Sequence, residues 1–186
     1  MKQLLTVSAL ALTLALSPVA YAANDASSAS KTTQAAKAPY DVQFLDTMSE
    51  HHRDGIKMME LAVDKAQSAE IKQMAQKGID DQTKEIDELK SMRNANAPEA
   101  VNIKLPGMMP KAKMEQDMAK LEAAAGSDFD KHFLQTMIKH HGGAVKMSDD
   151  AMAKAKRDDV KVKAQQIHDK QKSEISDMQE MLKRMK

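Results

Sequence analysis

The apolar positions of this chain fall into four long helical stripes separated by short polar breaks. From Val42 to about Gln67, Phe44, Leu45, Met48, His52, Gly55, Met59 and Ala62 recur at helical spacing. A second stripe, from about Ser68 to Met92, carries Ile71, Ala75, Ile79, Gln82, Ile86 and Leu89 in steps of three and four. Such stepping turns one face of a helix toward a core. Pro39 closes the preceding segment, and Asp41 is the expected N-cap of the first helix. A third long helix is expected from Asp128 to about Lys156, opened by Ser127 and Asp130 as N-cap and capping box. The fourth runs from about Asp158 to the C-terminus. Between the pairs, "NANAPEA" and "KLPGMMP" set Pro98, Pro106, Gly107 and Pro110 where no helix persists. A short helix from Lys111 to Ala125, stopped by Gly126, completes the connection. No segment alternates as a strand would, so the fold class is all-α.

The two halves are related. A shift of 89 residues aligns Phe44, Leu45, Thr47, Met48, His51, His52, Lys57 and Met58 with Phe133, Leu134, Thr136, Met137, His140, His141, Lys146 and Met147. The match continues through Ala62/Ala151, Ala66/Ala155, Gln82/Gln171, Glu85/Glu174 and Ile86/Ile175. Each half reads as a helical hairpin with one apolar seam, and two such hairpins bury their seams by pairing into a four-helix bundle. The expected organisation is a single domain over 40–186, with repeats at about 41–93 and 128–186 and a connection at 94–127.

The N-terminal residues stand outside this pattern. Lys2, an apolar run from Leu4 to Leu16, Pro18 and the "AYA" ending at Ala22 read as a cleaved secretory signal over 1–22. The run is shorter than the ~20 residues of a membrane span, and no cysteine follows it to carry lipid. Residues 23–39 read as a disordered leader. A periplasmic location without a membrane anchor is expected. With Lys2 removed, the net charge falls from +1 to zero, which disfavours nucleic acid as a partner.

Composition then changes the picture. The chain has no cysteine, so disulfide scaffolds and thiolate metal sites are excluded. It has 16 methionines, all but Met1 beyond the expected signal, and few aromatics. Two of these methionine clusters bracket paired histidines: "MSEHHRDGIKM" and "MIKHHGGAVKM". On a helix Met48 reaches His51 and His52, and Met58 and Met59 lie two turns below them. Met137, His140, His141 and Met147 repeat the layout, with Ser148 in the place of Met59. Met108, Met109, Met114 and Met118 form a further concentration in the connection.

Thioether sulfur is soft and needs no deprotonation, and imidazole suits copper in both oxidation states. Cu(I) is therefore the expected guest, with Cu(II) or Ag(I) as others, whereas Mg, Ca and Mn prefer carboxylates. Hairpin register sets Gln82 and Glu85 level with His52 and His51, and Gln171 and Glu174 level with His141 and His140. A glutamate accepting the free imidazole N–H would fix the tautomer of a metal-binding histidine; alternatively Glu85 and Glu174 are ligands. Packing alone accounts for any single methionine, since Met fills gaps in cores. It does not account for two titratable pairs recurring at a seam, because burying unpartnered imidazoles costs a few kcal/mol. Gly55, Gly142 and Gly143 serve close helix approach as readily as room for an ion, and His132 and His168 read as ordinary.

The stretches "FLDTMSEHHRDGIKMMELA", "DFDKHFLQTMIKHHGGAVKMSDDA" and "LPGMMPKAKMEQDMAKLEAAAG" resemble the DUF305 family of bacterial proteins. The resemblance runs from about Tyr40 onward. It implies a ferritin-like four-helix fold and copper binding, with silver as a further guest, in metal tolerance. The ligands it implies are Met48, His51, His52 and Met58 with Met137, His140, His141 and Met147; Met59 and the connection methionines are secondary. The reading is a non-enzymatic exported protein that sequesters Cu(I) or passes it to another periplasmic carrier or efflux component. Its competitors are a carboxylate/His di-metal oxidoreductase, a b-type haem bundle and a metal-free stress or chaperone-like protein. The di-metal reading lacks the Glu-x-x-His motif such bundles use.

Overall fold

The computed structural model describes residues 38–93, 105 and 107–185. The expected signal, most of the leader and the central part of the connection lie outside the described residues. Among those described, the chain forms α1 (Tyr40–Lys65), α2 (Ala69–Met92), α3 (Lys111–Ala123), α4 (Gly126–Lys154) and α5 (Asp158–Arg184), and no strand. None of these helices is long and apolar enough to cross a membrane.

α1 packs along α2, α4 packs along α5, and the two hairpins join through α1 and α4. The short α3 lies against α1 and α4. Ser68 caps α2, its Oγ accepting from Ile71 N at 3.4 Å. Two of the expected caps act elsewhere. α1 begins behind Pro39 without a side-chain cap; the Asp41 carboxylate instead accepts from the Lys156 and Arg157 amides at 3.1 and 3.0 Å. α4 begins at Gly126, also without a side-chain cap. Asp130 accepts from the Gln67 and Ser68 amides at 2.9 and 2.8 Å rather than closing a capping box with Ser127. Gly126, at φ +58°, opens α4; α3 has already ended at Ala123.

The cause is common to both aspartates. The start of each following helix exposes amides with no intrahelical partner and the positive end of a helix dipole. Asp41 and Asp130 are one repeat apart, as are Gln67/Lys156 and Ser68/Arg157. Each hairpin therefore caps the turn of the other. This reciprocity runs α1 and α4 antiparallel, with the start of each at the end of its neighbour.

The antiparallel crossing also divides the core. One apolar cluster holds Phe44, Leu45, Met48, Leu89, Ala144, Met147, Val160 and Ile167. The other holds Met58, Met59, Ile71, Phe129, Phe133, Leu134, Met137 and Met178. Each fully buried methionine contributes ~1.5–3 kcal/mol through the area it removes from water. Between the clusters lies a buried polar layer containing His51, His52, His140, His141, Gln82, Glu85 and Gln171.

Candidate metal centre

The adjacent histidines of each helix point to different neighbours. His51 and His140 meet across the α1–α4 contact, stacked with ring centroids 3.7 Å apart. His140 Nε2–H donates to the His51 carbonyl at 3.0 Å. His52 and His141 turn toward their own hairpin partners: His52 Nε2–H donates to Glu85 Oε2 and His141 Nε2–H to Glu174 Oε2, both at 2.9 Å. The expected register is thereby corrected by one position, since Glu85 meets His52 rather than His51, and Glu174 meets His141 rather than His140. Residues ~100° apart on a helix cannot both face one neighbour. Here one of each pair faces the other hairpin.

Burial, then the neighbouring His141 and His52, push the His140 pKa down to about 3. Burial and the nearby His140 hold His51 well below the usual imidazole range. Both stacked rings are therefore neutral near pH 7. Both His51 ring nitrogens and the Nδ1 atoms of His52, His140 and His141 are buried without a hydrogen-bond partner. Gly55 makes this packing feasible, because a Cβ there would stand 2.7 Å from Gln82 Oε1 and 3.0 Å from His140 Nε2. Close side-chain approach is thus the role of Gly55.

The two carboxylates have different surroundings. Glu85 also receives Lys163 Nζ at 3.0 Å, and the same ammonium bonds Glu88 at 2.6 Å. Burial raises the Glu85 pKa, but His52 and Lys163 outweigh it and hold the group down at about 2. Among the described residues, Glu174 is hydrogen-bonded by His141 and the Gln171 amide, with the Lys77 ammonium in its electrostatic surroundings, and its side chain is 26% exposed against 7% for Glu85. Beside His141 and Glu174 lies a cavity of about 130 Å³ lined also by Met59, Met74, Met137 and Met178. It reaches the surface beside Lys77 and Asp177.

The connection methionines gather elsewhere. Met108, Met109, Met114 and Met118 line a groove of about 600 Å³ between α3 and the outer face of α1, together with Glu50, Asp54 and Lys57. Among the described residues, no three His, Asp or Glu side chains converge as a metal-holding group. The cavity beside Glu174 brings four thioethers to the imidazole of His141.

The DUF305 family, described as a domain of unknown function, matches residues 19–93 and 41–182. The chain belongs to this family. Among solved structures, this DUF305 protein is similar to CopM in its Cu(II)-bound form, with 31% identity, a TM-score of 0.67, and coverage of 78% of this chain and 97% of that one. CopM in its Cu(I)-bound form matches at 29% identity and TM-score 0.60, over 77% and 96% of the chains. A DUF305 protein from Streptomyces coelicolor, described as secreted, shares the fold at 23% identity and TM-score 0.66, over 79% and 94%. No curated protein matches.

In this DUF305 protein the bracketing methionines separate from one another. Met48 and Met147 pack in one core cluster and Met58 in the other, each fully buried. Met59, Met137 and His141 meet at the smaller cavity. Met74 and Met178 join them there, although the brackets did not include either. Their signal was available as a departure from the repeat: a shift of 89 residues sets Met74 against Lys163 and Met178 against Leu89.

Proposed function

We propose that this DUF305 protein is an exported copper-binding protein that sequesters Cu(I) or hands it on, with Cu(II) and Ag(I) as further guests. The metal is cargo rather than a catalytic group, and no enzymatic role is assigned. The observation that carries the reading is the meeting of thioethers and a carboxylate-oriented imidazole at a solvent-reaching cavity. That donor set suits a soft monovalent ion. The likeness to CopM, solved with Cu(I), Cu(II) and Ag bound, supports it. Export is supported by the signal-like apolar run from Leu4 to Leu16 and the small-residue site ending at Ala22. The arrangement of α1, α2, α4 and α5 is read as a ferritin-like four-helix bundle. Anaerobic titration of the purified protein with Cu(I) against a chromophoric chelator tests the function. At least one tightly held ion per chain is expected; failure to compete with the chelator overturns the reading.

A further inference from the structure

The histidine pairs suggest two equivalent sites, yet their surroundings have diverged in ways that all act in one direction. We propose that the protein holds one tightly bound soft metal ion, through the thioethers of Met59, Met74, Met137 and Met178 and the imidazole of His141, and that Lys163 closes the repeat-related place beside His52. This assignment rests on the copper-binding reading and narrows it to one half of the molecule.

The repeat supplies the first argument. Of the four cavity methionines, only Met137 has a methionine counterpart, Met48. Met59 is replaced by Ser148, Met74 by Lys163 and Met178 by Leu89. Core packing explains a methionine at any one of these positions. It gives no reason for three departures from the repeat to converge on the same cavity.

Charge supplies the second. At the His52 end, the Lys163 ammonium occupies both Glu85 and Glu88, putting a fixed positive charge where a metal cation would have to enter. At the His141 end Met74 stands in its place, a neutral donor, and Glu174 is left to His141 and Gln171. Lys77 at the mouth is exposed and paired with Asp81 at 2.6 Å.

Space and orientation complete the case. A Cβ at Gly78 would collide with Met59 Sδ, so the absence of a side chain there admits the sulfur to the cavity wall. The counterpart of Gly78 is Ile167, fully buried in the opposite cluster. His141 gives its Nε2–H to Glu174, which leaves Nδ1 with the lone pair; that nitrogen is buried and has no partner. A carboxylate orienting the far nitrogen of an imidazole is the usual support for a metal-binding histidine.

The test uses Ag(I), a redox-stable stand-in for Cu(I), on the purified protein carrying 13C-methyl methionine. One equivalent of Ag(I) is expected to shift the methyl resonances of Met59, Met74, Met137 and Met178 and leave that of Met48 in place. M74L/M178L, which conserves volume, is expected to weaken Ag(I) binding at least tenfold, while M48L/M147L binds as wild type. Should the first double variant lose its helical circular dichroism, M74L alone, altering a half-buried residue, carries the same expectation. Wild-type affinity in the Met74 variants, or shifts confined to Met108, Met109, Met114 and Met118, overturns the one-site assignment while leaving copper binding intact. Absence of any Ag(I) or Cu(I) binding overturns both.

Discussion

His51 and His140, one repeat apart, stack face to face with ring centroids 3.7 Å apart at the crossing of α1 and α4. Here the duplicated sequence meets itself. The symmetry is broken at the contact, because His140 donates to the His51 carbonyl while both His51 ring nitrogens stay without a partner. Two neutral rings in a buried layer are expected to make the bundle sensitive to acid.

Both stacked histidines have folded pKa values below the unfolded 6.5, with His140 at about 3. Such groups add stability above pH 6.5 that is lost as the pH falls toward 3, because the unfolded chain takes up the proton first. Glu85, at about 2 when folded, adds a further loss below its usual 4.5. Each histidine contributes a slope of up to about 1.4 kcal/mol per pH unit. Urea midpoints of the metal-free protein should be level between pH 7 and 8 and fall steeply from 6.5 to 5. A flat profile down to pH 5 would show that the stack does not govern stability.

The reciprocal caps should be separable from metal binding. Asp130→Ala removes a buried carboxylate that holds the Gln67 and Ser68 amides. Hydrogen bonds to charged groups are worth about 1.5–3 kcal/mol, and a loss of that size is expected in chemical denaturation. Asp41→Ala should cost a similar amount, and Ag(I) affinity should change less than threefold in either variant.

Gly78→Ala offers a sharper contrast. Alanine in a helix interior gains ~1 kcal/mol over glycine, and the obstacle to its Cβ is the mobile end of Met59. Thermal stability should therefore be kept or raised while Ag(I) affinity drops several-fold. A parallel fall in both would mark Met59 as packing alone.

Lys163→Met removes the ammonium that neutralises Glu85 in the buried layer. Breaking a buried pair typically costs about 3–5 kcal/mol, measurable as a lowered urea midpoint. Mass spectrometry under native conditions should then detect a second Ag(I) ion at the His52 end, where the charge that opposes it has gone. A variant that is destabilised yet still takes up one ion would show that charge is not what closes that half.

Helix positions were legible because apolar spacing is a local property. The expected and observed boundaries of the long helices differ by about two residues at most. The expected caps failed at Asp41 and Asp130 because a carboxylate in the first turn bonds whichever free amides lie nearest, and these belong to the other hairpin. The Met–His brackets named His141, Met59 and Met137, which line one cavity, together with Met48, Met58 and Met147, which lie fully buried in the two apolar clusters. Adjacency along one helix does not reveal which partner helix a side chain meets.

The sequence by itself determined an all-helical chain of two related hairpins with paired histidines at their centre, since periodicity and repetition are readable without contacts. Only the tertiary structure decided that α1 and α4 cross antiparallel at His51 and His140. It also decided that Met59, Met74, Met137 and Met178 share one cavity. Their meeting depends on four helices distant in the chain, and the packing of those helices brings the thioethers together.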